Sequence, residues 1–312
     1  MKTLVLSMIS IAATVAAMTA CTSESDPINE IDAEVNVPIN FGQSINLFTK
    51  AIATGDKLTS TTIGIWGIEY SDVASWKATN FMDNLSLTVD NTGGITYTSG
   101  TSKYYSIVPE TKYDFYAYSP IASESNGLIV NAATAGNAPT IKVTIPTTQT
   151  SSITDIMYAT PSKNNTKSTT GINLAFQHAL AQLKFTIKKE AEGSNASNLT
   201  AIKVQANTVG IMNLNDGKFS STKTPGDFSI TTSTSITTSP SPIDSPLLVF
   251  PEDLGNNSVT FTIDGKEYAF TPTATLTAGK ITTINVTISS TGITFTQSLT
   301  DWTNETEGSG TI

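Results

Sequence analysis

The chain has one histidine, His178, within LAFQHALAQLKFTIKK (residues 174–189), and its nucleophilic or metal chemistry has to be judged from that residue. A Ser-His-Asp or Cys-His site places an imidazole beside a nucleophile and orients it with a third group. His178 instead stands among Phe176, Ala179, Leu180, Leu183, Phe185 and Ile187, which predicts a buried ring satisfied by backbone groups. Transition metals take several His or Cys ligands, and the chain offers one of each. DLGNN (253–257) falls short of a complete calcium loop. No pair among the 26 acidic residues is singled out for glycoside hydrolysis. The glycine-rich phosphate loops are missing. No catalytic residue, metal site or cofactor is assigned, and no enzymatic activity is expected. Trp66, Trp76 and Trp302 are the candidate faces for stacking a sugar. Trp66 lies in an apolar run; Trp76, in DVASWKATNFM, is the best placed of the three to be exposed, although core packing is the expectation for each.

All 17 basic residues are lysines, and the formal net charge is −9. Without arginine the chain lacks the planar fork that reads phosphates and bases, so nucleic-acid binding is not expected. Lys2 and the short apolar run Leu4–Val15 read as a secretory signal covering residues 1–20. MTAC then resembles a bacterial lipobox, with Cys21, the sole cysteine, as the lipidated residue. Anchoring through acyl chains adds roughly 0.8 kcal/mol per buried methylene. One cysteine also leaves no intramolecular disulfide. Residues 21–34 are polar and acidic, the composition of a flexible tether.

The rest of the chain alternates with the period of strands rather than helices. EVNVPINF puts Val35, Val37, Ile39 and Phe41 on one side. SVTFTIDGKEYAF is the clearest hairpin, with Asp264-Gly265 suited to a type I′ turn. FMDNLSLTV reads as a loop entering a strand, and FQHALAQL as a short turn of helix before the strand KFTIKK. TPSKNNTKSTTG (160–171) reads as an interdomain linker. SITTSTSITTSPSPIDSP (229–246) reads as a long surface loop or mobile edge, because proline is excluded from central strands. The expected fold is all-β: two antiparallel β-sandwiches in tandem, residues 35–165 and 166–312.

TIGIWGIEY, WKATNFMDNLSLTV, KYDFYAYSP, FQHALAQLKFTIKK and LTAGKITTINVTI follow one another as in the fimbrillin-like proteins of Bacteroidetes, the type V pilus subunits, and the chain resembles that family over nearly its whole mature length. The resemblance implies a lipid-anchored precursor at the outer membrane with two transthyretin-like domains. It implies that proteolysis removes the first strand and that the C-terminal region of a neighbouring pilus subunit fills the groove. The matching cleavage position is Lys50-Ala51, where the family often has arginine. A lysine-tolerant protease, an uncut anchor or terminal subunit, and a simple solvated loop all fit that difference. The groove strand would carry Val35, Val37, Ile39 and Phe41, and the donor Ile293, Phe295, Leu299 and Trp302. A stalk, tip or anchor role all fit, with a host or bacterial surface ligand as a further partner. The alternative is a surface glycan-binding lipoprotein of the same sandwich type.

Overall fold

A computed structural model describes residues 36–45, 57–149, 154–191, 198–221, 224–256, 258–273, 275–290 and 292–302. The chain runs through β1 (Phe41–Ile45), β2 (Thr61–Tyr70), β3 (Met82–Val89), β4 (Ile95–Tyr97) and β5 (Lys112–Ser119). After a single 3-10 turn, Glu124–Asn126, come β6 (Leu128–Asn131), β7 (Thr140–Thr144), β8 (Met157–Thr160), β9 (Ser162–Asn165) and β10 (Ile172–His178). Next are β11 (Ala181–Lys189), β12 (Asn198–Asn207), β13 (Val209–Asn213), β14 (Phe219–Ser221) and β15 (Pro225–Ser235). The last five are β16 (Ser241–Val249), β17 (Val259–Ile263), β18 (Lys266–Phe270), β19 (Lys280–Ile288) and β20 (Ile293–Asp301). The fold is all-β, as the period-two patterning predicts.

The largest sheet has the order β1-β10-β8-β5-β2-β3-β4, with β9 also paired to β5. It curls until its two ends meet. Pro38 bridges Tyr104, the Ile39 amide donates to the Lys103 carbonyl (2.9 Å), and the Tyr105 amide donates to the Val37 carbonyl (3.0 Å). Curling removes exposed backbone at a sheet edge and encloses a core of Ile39, Phe41, Ile63, Ile65, Phe115 and Phe176 with their neighbours.

The opposite faces of β2 and β5 are also apolar. Trp66 stacks on Tyr118 at 5.6 Å, and Trp76 packs on Tyr116 at 4.7 Å. These residues join a second continuous core that includes the sheet β14-β13-β7-β6 and the C-terminal sheets β16-β11-β19-β20 and β15-β12-β17-β18. The two C-terminal sheets face each other through Phe185, Phe261, Phe270 and Phe295.

Several local expectations change. The division at 165/166 falls between β9 and β10, which belong to one sheet, while β13 pairs back with β7. The 160–171 stretch is polar because β9 is short and its side chains bond to neighbouring strands: Asn165 Nδ2 donates to the Tyr113 carbonyl at 3.1 Å. The chain crosses to the C-terminal sheets at the buried pair Ala179-Leu180, where a helical turn is expected and none forms. Residues 229–246 are the ends of β15 and β16 and the connection between them, not a long loop. Both strands are sheet edges, where proline costs no ladder bond. Asp264 and Gly265 have φ of 47° and 77°, as the expected turn requires.

Candidate functional site

Of the residues that carry the sequence-based site, Cys21, Val35, Lys50 and Ala51 lie outside the described residues. Val37, Ile39 and Phe41 come together at β1. Ile39 is fully buried, and Phe41 packs edge-on against Phe115 at 5.2 Å. β1 runs parallel to β10, pairing Phe41 with Ile172 and Ile45 with Phe176. On its other flank Tyr97 donates its hydroxyl to the Ile39 carbonyl at 2.8 Å. A short strand is thus inlaid between two walls, with its apolar side forming part of the barrel core.

Gln43 continues the inward side of β1 and is 9% exposed. Its Nε2 donates to the Leu58 and Gly93 carbonyls (2.8 and 2.9 Å), and its Oε1 accepts from the Leu58 amide (2.9 Å). The side-chain amide therefore does the work of a missing strand edge and leaves no buried polar group of its own unpaired. Sequence reasoning missed it. The available signal was its parity with Ile39 and Phe41, since an amide on a core-facing position needs dedicated partners.

Ile293, Phe295, Leu299 and Trp302 lie on or just after β20, which among the described residues pairs only with β19. Phe295 stacks on Phe270 at 4.4 Å, while Leu299 is 50% exposed. Trp302, 8% exposed, lies 4.1 Å from the His178 ring and nearly parallel to it (7°). His178 is buried as expected, but its partner is a carboxylate: Nδ1 meets Asp155 Oδ2 at 2.6 Å. Nε2 has no hydrogen-bond partner among the described residues, and no backbone group satisfies the ring. This group pins the end of β20 to the end of β10.

None of the three tryptophans offers an open face for a sugar. Trp66 and Trp76 are 2% and 7% exposed, as the expected core packing requires, and Trp76, the one best placed for exposure, packs on Tyr116.

The sequence profile of the fimbrillin-like family matches residues 49–302. No curated protein matches the chain. Among solved structures, a fimbrial protein of Bacteroides vulgatus superposes with a TM-score of 0.61 at 16% identity, covering 85% of this chain and 99% of that one. A protein of Bacteroides ovatus assigned to cell adhesion gives 0.61 at 17% identity, covering 87% and 99%. One of Bacteroides uniformis, also assigned to cell adhesion, gives 0.58 at 19%, covering 88% and 99%. At these identities the superpositions establish the fold, and the profile match over most of the sequence establishes the lineage: the chain belongs to the fimbrillin-like family.

Proposed function

We propose that this chain is a structural or adhesive subunit of a surface type V pilus, secreted as a precursor lipidated at Cys21 and assembled by proteolysis-triggered strand exchange. Family membership and the fimbrial and cell-adhesion relatives of like fold support a role in pili or adhesion. The seat of β1 carries the exchange reading. Removing β1 would uncover the contacts of two buried side chains, each contributing about 1.5–3 kcal/mol, and a run of ladder partners worth about 0.5–1.5 kcal/mol each. An open edge over an apolar furrow is the substrate for strand addition by another chain. Lys50-Ala51 follows β1 in sequence, so cutting there separates β1 from the rest of the fold. The facing pair of four-stranded C-terminal sheets supports reading that half as a transthyretin-like sandwich. Binding, anchoring and assembly then need no catalytic group, in keeping with the structural role of the family.

The test is controlled cleavage between Lys50 and Ala51 of the purified full chain. Ladders of denaturation-resistant polymers are expected only after cutting. A cut chain that stays monomeric at high concentration while its barrel remains folded overturns the exchange reading.

A further inference from the structure

Among the described residues six large apolar side chains stand exposed, and four of them, Val73, Tyr104, Ile107 and Val108, lie on two loops at one end of the barrel. Tyr70 closes β2 and pairs with Lys112, which opens β5. Val73 comes three residues after Tyr70 and Val108 four before Lys112, so both loops leave the barrel at the same place. Val73 is 79% exposed, Ile107 56% and Val108 62%. Apolar residues scattered singly over a surface need no explanation, whereas several gathered at one place mark a contact with something else. The loop before β5 is also fixed. The Ser106 amide donates to the Tyr113 hydroxyl at 2.6 Å, the Val108 amide to Ser106 Oγ at 3.1 Å, and Thr111 Oγ1 to the Val108 carbonyl at 2.8 Å. A bonded frame therefore holds Ile107 and Val108 out in water.

The same end receives the N-terminal chain. β1 runs parallel to β10, and β10 runs in the direction of β5, because β8 lies antiparallel to both. β1 therefore enters at the Lys112 end and leaves, at Ile45, toward the other. Its entry is fastened to the loop that carries Ile107, where the Tyr105 amide donates to the Val37 carbonyl at 3.0 Å. Fourteen residues, 22–35, separate Cys21 from Asn36, the first described residue. A chain of that length reaches no more than about 50 Å when fully extended. An acyl group on Cys21 would thus draw this end of the barrel, rather than the other, toward the bilayer. Charge points the same way. Residues 71–81, 98–111 and 162–171, which cap this end, carry Lys77, Lys103, Lys163 and Lys167 against Asp72 and Glu110, whereas the whole chain stands at −9.

We propose that this end of the barrel is a lipid-contacting face, with Val73, Ile107 and Val108 seated at the headgroup boundary of the bilayer that holds the Cys21 anchor. The proposal rests on the lipid-anchored precursor of the reading above and adds a second, noncovalent contact that orients the chain. Apolar tips enter the headgroup region of a bilayer, and lysines beside them gain from anionic headgroups. Each contact is weak alone; the tether makes them effective by keeping them at the surface. β10 ends at His178, at the opposite end, where the chain crosses to the C-terminal sheets through Ala179-Leu180. The seated chain therefore turns those sheets, and the exit of β1 at Ile45, away from the lipid.

The test uses the mature chain from residue 21, coupled through Cys21, its sole cysteine, to a maleimide lipid in vesicles of phosphatidylcholine and phosphatidylglycerol with brominated acyl chains. The coupling supplies the anchor whether or not the cell does. A reporter tryptophan is introduced by Val108→Trp or, on the C-terminal sheets, by Leu299→Trp, which replaces a residue 50% exposed, and the signal of the parent chain is subtracted. Bromine quenching at Val108→Trp is expected to exceed that at Leu299→Trp about threefold or more. Adding Val73→Ser and Ile107→Ser should remove most of that excess and leave the urea midpoint where it was. Equal quenching at the two positions, or none at Val108→Trp, overturns the lipid face. If the uncoupled chain instead self-associates in sedimentation and Ile107→Ser abolishes this, the patch is a protein interface and the proposal falls. The anchor is decided separately, by mass spectrometry of the native chain extracted from its cell membranes: an unacylated Cys21 overturns the anchored-precursor reading even where the vesicle result holds.

Discussion

β1 is five residues long, with a ladder to β10 on one side and the Gln43 side-chain bonds to Leu58 and Gly93 besides; β20 is nine residues long and is held by its ladder to β19. The short strand is held by depth. Ile39 and Phe41 reach the barrel core, and Gln43 is fastened to two separate loops. The long strand is held by length, through a ladder of nine residue pairs to β19 and a terminal anchor. Lys280 pairs with Asp301 beside that anchor, and Trp302 closes over His178. A strand held by its ladder can peel from one end, one bond at a time. An inlaid strand loses its core contacts together, so it does not fray from one end.

Substitutions at the two strands can break or sharpen this contrast. Phe41→Ala should have the largest effect, about 3–5 kcal/mol of lost stability, read as a drop in the urea midpoint with the loss concentrated in the barrel. Trp302→Ala should follow at about 3 kcal/mol, and hydrogen exchange should show β20 opening while β1 stays protected. If Trp302→Ala released β1 as well, the two strands would not be held independently. Alkaline titration should weaken β2 and β5, whose tyrosines face both cores. Burial, with the Asp114 carboxylate beside Tyr70 and Glu69 beside Tyr113, pushes both phenols up to about 12, and burial takes Tyr116 to about 12 as well. Their contribution is complete below pH 10, the ordinary tyrosine value, and is lost as pH rises through about 12. Denaturation midpoints should therefore fall across that window, with probes on β2 and β5 moving before probes on the C-terminal sheets. Leu299→Ser should have the smallest effect on the folded chain, within about 0.5 kcal/mol, because half of its side chain is already in water.

What the residue pattern could reveal depended on how local the cause was. The Asp264-Gly265 turn is set by two residues and their neighbours, so it was readable in advance. β15 hid inside a Ser/Thr-rich stretch because only Phe228 and Ile230 of its alternation point inward, and its remaining residues need only suit a wet face. FQHALAQL resembled a helix because Ala179 and Leu180 are apolar in succession. They are buried by the crossing between two sheets, which no short window contains. The candidate site divides along the same line. The apolar side of β1 was visible as alternation, while the partners of Gln43 come from residues 15 and 50 positions away. Asp155 approaches His178 only because β8 and β10 pair. Trp76 sits in a loop, and its burial depends on Tyr116 in a strand far along the chain.

The parallel pairing of β1 with β10 has a kinetic consequence. A hairpin partner follows its strand within a few residues, but Phe41 finds Ile172 only after more than a hundred further residues have been made. Such non-local pairings are the slow ones, because loop closure must precede any gain in contacts. The first of the described strands to leave the ribosome is then the last to be seated, and until it docks the barrel stays open on that side.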